Sequence, residues 1–166
     1  MRGKVWFARG GTEGFSLVES AVAVGIVGLA LALALSGRGL VYNRRLAGAA
    51  RALGTDIRWV EQRARTERRC WRVVFDPGEE SYAIQYLEGG RWTPSGGCRG
   101  SWSGYTSAPR RLPTGVDLQS TTFGGGILTV SPFGHPNAGT VLLRSPAGEQ
   151  RRVTVNVGGR VTIAPQ

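Results

Sequence analysis

"GTEGFSLVESAVAVGIVGLALALALSG", residues Gly11 to Gly37, is the stretch on which the reading of this chain turns. From Phe15 to Leu35 it is apolar for about 21 residues, enough to span a bilayer core, yet Glu19 stands near its start. An ionised side chain in hydrocarbon costs roughly 2.5–3.5 kcal/mol even on the lenient insertion scales. The helical neighbours of Glu19 at three and four residues are Phe15, Ser16, Val22 and Ala23, so no cation lies within reach on the same helix. Its partner must come from another chain or from a charge made after synthesis.

Two ordinary readings compete for this segment. A secretory signal peptide explains Arg2, Lys4 and Arg9 and offers Ala34-Leu35-Ser36 as a cleavage site. Its apolar core is normally shorter, and a carboxylate inside it is unusual. A plain transmembrane anchor explains the length and leaves Glu19 without a role.

Gly14-Phe15-Ser16-Leu17-Val18-Glu19 resembles the cleavage site of type IV pilins and of the pseudopilins of type II secretion. The resemblance implies that a prepilin peptidase cuts between Gly14 and Phe15 and that the new amine of Phe15 is methylated. It implies that Glu19 serves subunit assembly. The physics agrees with that implication. Cleavage creates an ammonium at Phe15, and a neighbouring subunit's Glu19 can pair with it. A buried pair of good geometry offsets much of its desolvation, which a lone charge cannot do.

The chain has 166 residues and a net charge of +10. The leader, residues 1–14, holds Arg2, Lys4 and Arg9 against Glu13, so the mature chain keeps +8 of that charge. Lys4 is the only lysine among the 21 basic residues. Arginine binds phosphate through two parallel hydrogen bonds, so this bias suits contact with a polyanion. Cys70 and Cys98 match no metal-ligand spacing and the single His135 makes no cluster. Outside the cytoplasmic membrane they are free to form a disulfide, the alternative being two separate thiols. No catalytic set, metal site or cofactor motif is readable, so no enzyme is expected.

Residues 15–67 read as one helix. Leu46, Ala49, Ala50, Leu53, Ile57, Val60 and Ala64 form a stripe on a 3.6-residue period. The opposite face is assigned Arg44, Arg51, Arg58, Glu61 and Arg65. Gly25, Gly28, Gly37 and Gly39 are its weak points, each costing up to about 1 kcal/mol relative to alanine.

From Cys70 the pattern changes to short β runs separated by Gly and Pro turns. The strands expected are Trp71–Phe75, Tyr82–Leu87, Val116–Gln119, Ile127–Ser131, Thr140–Arg144, Arg152–Val157 and Arg160–Ala164. Thr93–Pro113, rich in Gly, Ser and Pro, reads as a long loop. The fold class is therefore α+β: a long N-terminal helix, membrane-spanning in its first half, packed against a C-terminal antiparallel β-sheet head. The divisions are 1–14 leader, 15–36 membrane or filament-core half of the helix, 37–69 amphipathic half, and 70–166 head.

"TFGGGILTVSPFGHPNAGTVLLRSPAGEQRRVTVNVGGRVTI", Thr122 to Ile163, resembles the C-terminal half of GspH/FimT-type minor pseudopilins. Phe133 to Asn137 occupy the Phe-x-x-x-Gly turn region, and Gly159-Arg160 match the family's ending. Some DNA-binding members carry Gly-Arg-x-Arg there; Thr162 stands in place of the second Arg.

The function implied is a minor pilin or pseudopilin subunit assembled into a type IV pilus or a type II secretion pseudopilus. The partners implied are other pilins or pseudopilins, the prepilin peptidase and the inner-membrane assembly platform. The implied location is the inner membrane, crossed once with the head in the periplasm, and then a cell-surface filament. The alternatives are a DNA-binding minor pilin for DNA uptake and a membrane-anchored domain that never polymerises. For DNA the candidate contacts are Arg151, Arg152 and Arg160 on the last hairpin and Arg110 and Arg111 on the long loop. A second basic cluster, Arg63, Arg65, Arg68, Arg69 and Arg72, falls where the helix meets the first strand, with Trp92, Trp102 and Tyr105 as aromatics that can stack bases.

Overall fold

The computed structural model describes residues 16–105 and 108–166, with only the backbone of 33–38. Gly14 and Phe15, the expected cleavage pair, lie outside the described residues. The protein is α+β, the class its pattern predicts: one long helix followed by two antiparallel sheets.

Helix α1, Leu17–Glu67, is 51 residues long. It enters two compact units, which divide between Arg38 and Gly39. In the first, Leu17, Val18, Val24 and Ile26 are 64–86% exposed, so the apolar run has no cover of its own. Among the described residues no helix is long and apolar enough to cross a membrane; the side chains of 33–38, part of the apolar run, lie outside that set.

In the second unit the helix buries the stripe its sequence predicts, from Leu46 to Ala64. This stripe shares one core with residues of both sheets, among them Trp71, Val73, Ile84, Leu128, Val141 and Val153. Glu61 corrects the reading of the helix. Expected on the polar face, it is buried, at 6% exposure. The reason is helical geometry: Glu61 lies four residues after Ile57 and three before Ala64, which puts it on the edge of the apolar stripe.

The strands are β1 (Trp71–Asp76), β2 (Ser81–Thr93), β3 (Gly97–Gly104), β4 (Arg110–Arg111), β5 (Asp117–Thr121), β6 (Ile127–Val130), β7 (Gly139–Arg144), β8 (Gln150–Val155) and β9 (Val161–Pro165). The first sheet runs β3-β2-β1-β6, with β4 also beside β2; the second runs β5-β7-β8-β9. Alternation explains which side chains enter the core. In β1, Trp71, Val73 and Phe75 point inward, and their partners Tyr86, Ile84 and Tyr82 share that face.

The long loop expected over Thr93–Pro113 is instead about half strand. β3 pairs with β2 from Gln85 to Thr93, and β4 pairs with Ser81 and Tyr82. Gly and Ser have poor strand propensity, but the backbone ladder and the close approach of the two chains override it. Gly90 faces Gly100 across this ladder, and a β-carbon on either would collide with the backbone of the opposite strand. The glycines that signalled a loop are what let the strands meet.

Candidate interaction surfaces

Ser16 and Glu19 build the start of α1. The Glu19 backbone N–H donates to Ser16 Oγ at 3.2 Å. Ser-x-x-Glu is the pattern of a helix-capping box, and here the serine half of it is in place. The Glu19 side chain is exposed. This capping spacing was visible in the sequence and is a second use for the same motif.

Cys70 and Cys98 are joined in a disulfide, with Cα atoms 6.0 Å apart. It ties the end of the helix–β1 connection to β3. Among the described residues no group of His, Cys, Asp and Glu could hold a metal ion.

The candidate DNA contacts separate into distinct environments. Arg110 is engaged: its Nη1 lies 2.6 Å from both carboxylate oxygens of Asp56. Tyr82 donates its hydroxyl to the same carboxylate at 2.5 Å. Burial, then the bond to Asp56, pushes the Tyr82 hydroxyl above its ordinary range. Arg111 pairs with Glu79 at 3.1 Å in an exposed bridge. Arg152 and Arg160 are exposed, while Arg151 is half-buried on the opposite face of β8, the face of Val153 and Val155. The Arg151 Nε is buried with no hydrogen-bond partner among the described residues. The three hairpin arginines therefore do not form one patch. Arg152 faces Thr122, Thr140 and Thr154 around a shallow groove of about 420 Å³ on the outer side of the second sheet. Arg160 lies beyond it, opposite Asn156, whose Oδ1 accepts its backbone N–H at 2.9 Å.

The arginines at the helix end are a different population. Arg63 lies over Trp59, Arg69 over Tyr86 and Arg72 over Trp102, with guanidinium-to-ring distances of 5.3, 5.3 and 4.3 Å. Such stacking is a favourable cation–π arrangement. Glu67 bridges Arg63 and Arg69 at 3.1 and 3.5 Å. Arg72 Nε donates to Gln85 at 2.6 Å, and burial lowers the pKa of its guanidinium from the ordinary value. Arg65 reaches the carbonyl of Gly134 at 3.3 Å. Tyr105, expected as a stacking residue, packs on Trp59 and Trp71 with ring centroids 4.7 and 5.3 Å apart. Its exposed edge remains part of this aromatic wall. Arg91 and Arg99, which the sequence pattern does not single out, stand directly opposite each other on β2 and β3. Finding them requires the β2–β3 register, which a loop reading of this segment conceals.

A long N-terminal helix with an apolar leading segment, followed by an antiparallel β head, is the architecture of the pilin-like class. The family described as Type II transport protein GspH matches residues 49–159, and the chain belongs to that family. Solved structures share the fold. The minor pseudopilin EpsH from the type 2 secretion system of Vibrio cholerae is similar at 17% identity, with a TM-score of 0.55 over 73% of this chain and 97% of that one. The type IV minor pilin FimU of Pseudomonas aeruginosa is similar at 16% identity, with a TM-score of 0.51 over 76% of this chain and 92% of that one. No match was found among curated protein sequences.

Proposed function

We propose that this chain is a minor pilin or pseudopilin subunit that is cut between Gly14 and Phe15 by a prepilin peptidase, methylated on Phe15 and assembled with other such subunits. The carrying observation is the row of exposed apolar side chains from Leu17 to Leu31 that contains a single carboxylate, Glu19. Apolar surface of that extent needs lipid or other helices to cover it. Residues 15–36 would hold the subunit in the inner membrane with its head in the periplasm. They would then pass through the assembly platform into the core of a type IV pilus or a type II secretion pseudopilus. Glu19 would meet the Phe15 ammonium of a neighbour there.

The test is mass spectrometry of the mature protein. A methylated N-terminal Phe15 supports the reading, and a start at Gly37 overturns it. A processed chain that never enters filaments would leave only a membrane-anchored domain.

Nucleic-acid binding for DNA uptake is the second reading. It is favoured by arginines that pair with no carboxylate among the described residues: Arg152 and Arg160 on the hairpin, and Arg68, Arg91 and Arg99 near the helix end. Arg110, Arg111 and Arg151 do not support it, the first two being paired and the third turned toward the core side.

A further inference from the structure

A cleft of about 300 Å³ opens beside the disulfide, and its wall includes Arg68, Arg69, Arg91, Trp92 and Phe133. Among the described residues no carboxylate lines it. The nearest acid on the helix, Glu67, is committed to Arg63 and Arg69. Arg99 stands opposite Arg91 on the neighbouring strand, and both are exposed. Like charges directly opposed across a ladder repel and weaken the hairpin. Arg68 occupies left-handed backbone at φ 51, at the helix end where glycine is the usual residue. So the chain concentrates positive charge here against the interest of its own hairpin and helix end.

The aromatic half of the cleft is as specific. Trp92 and Phe133 meet edge to face with centroids 5.1 Å apart. Phe133 is 48% exposed, so much of the ring stays open to solvent although it packs against Trp92. A flat apolar surface bordered by guanidinium groups fits a ligand made of flat rings joined by phosphates. Aromatic side chains hold successive bases by stacking, and arginines follow the backbone. A duplex keeps its bases stacked on one another and offers only phosphate to such a cleft.

We infer that the cleft formed by Arg68, Arg91, Trp92 and Phe133 binds single-stranded nucleic acid, with phosphates on the arginines and one base on Phe133. The inference rests on the nucleic-acid reading above and moves its site from the β8–β9 hairpin to the helix end.

The test uses the full chain in nonionic detergent micelles and a fluorescein-labelled 12-nucleotide oligothymidylate, titrated with salt. Each phosphate neutralised on a single strand adds about 0.7 to the steepness of the log–log salt dependence. The Arg68→Gln/Arg91→Gln double variant, which gives up two of them, should therefore show a slope shallower by about 1.4. Phe133→Leu keeps an apolar side chain but removes the stacking ring. It should weaken binding by about tenfold with the slope unchanged. Near-ultraviolet circular dichroism establishes that both variants stay folded. A duplex of the same length should bind more weakly than the single strand. Loss of slope only in Arg152→Gln/Arg160→Gln would defeat this site and spare the nucleic-acid reading. Equal affinity for duplex and single strand with no effect of Phe133→Leu, or equal displacement by polyglutamate, would reduce the cleft to a general polyanion surface and overturn the inference. No binding at about 50 mM salt would defeat the site and the reading together.

Discussion

Glu61 and Gly159 are packed so closely that a β-carbon added to Gly159 would lie 3.0 Å from Glu61 Oε2. The helix carboxyl thus sits under the β8–β9 turn, with its Oε1 buried and without a hydrogen-bond partner among the described residues. Burial pushes its pKa up to about 7 from the ordinary 4.5, against the opposing pull of Arg65 and Arg58. The unfolded chain releases this proton near 4.5 and the folded chain keeps it until about 7. The folded state therefore binds more protons between those values. The contribution of Glu61 is fully present below pH 4.5 and is lost as pH rises through 7. Urea midpoints measured from pH 4 to 8 should fall over that window by the equivalent of about 3 kcal/mol. Glu61→Gln should flatten the profile; an unchanged profile would show that another group sets it.

Gly159→Ala follows from the same contact. Gly159 has φ +80, where an L side chain is strained, and its β-carbon would press on the carboxyl. The cost expected is more than about 1 kcal/mol, read as a lower melting temperature. If alanine were tolerated without loss, the turn would have to be looser than this packing implies.

Asp56 accepts from both Arg110 and Tyr82, and Tyr82 is 5% exposed. Asp56→Ala would leave the buried Tyr82 hydroxyl without its acceptor, at a cost of about 1–3 kcal/mol. Arg110→Gln should cost less, since Arg110 is partly solvated. Chemical denaturation of the two variants checks the order, and an Arg110→Gln loss equal to that of Asp56→Ala would contradict it.

The legible part of this fold was the part fixed by period. The stripe from Leu46 to Ala64 names its buried face without help from distant residues, and so does the alternation of Val153, Val155 and Val157 for its first two members; Val157, beyond the end of β8, is 67% exposed. What stayed hidden depended on contacts between distant segments. Arg110 looked available because Asp56 lies far away in sequence, and their meeting needs β4 to pair with β2. Gly90 reads as part of a turn and Gly100 as loop because propensity weighs one residue at a time, whereas their use is mutual. The charge of Glu61 points to solvent, whereas its place beside Ile57 and Ala64 decides its burial.

The Cys70–Cys98 bridge spans a sequence separation of 28. In the chain-entropy model a loop of that length contributes about 3–4 kcal/mol. Reduction should lower the melting temperature of the protein by roughly 10 °C. Alkylation of the native, unreduced protein should label no thiol; two labelled cysteines would refute the bridge.

Glu19 has two separable uses, and one variant set distinguishes them. Its backbone N–H closes the cap with Ser16, and its carboxylate is the proposed partner of a neighbour's Phe15 ammonium. Glu19→Val keeps the backbone donor and removes the charge. Insertion in the membrane should be preserved or improved, since about 2.5–3.5 kcal/mol of apparent insertion cost disappears. Incorporation into filaments should fail, because the ammonium of the adjoining subunit is left unpaired in an apolar core. Ser16→Ala does the reverse: it removes the side-chain acceptor, weakens the helix start by about 1 kcal/mol and leaves the charge in place. It should still assemble. The measurement is co-purification of tagged subunits with sheared filaments, normalised to the membrane pool. If Glu19→Val joined filaments as well as the unmodified chain, the intersubunit pair would be unnecessary. If Ser16→Ala failed alongside it, the motif would act through the helix cap and not through charge.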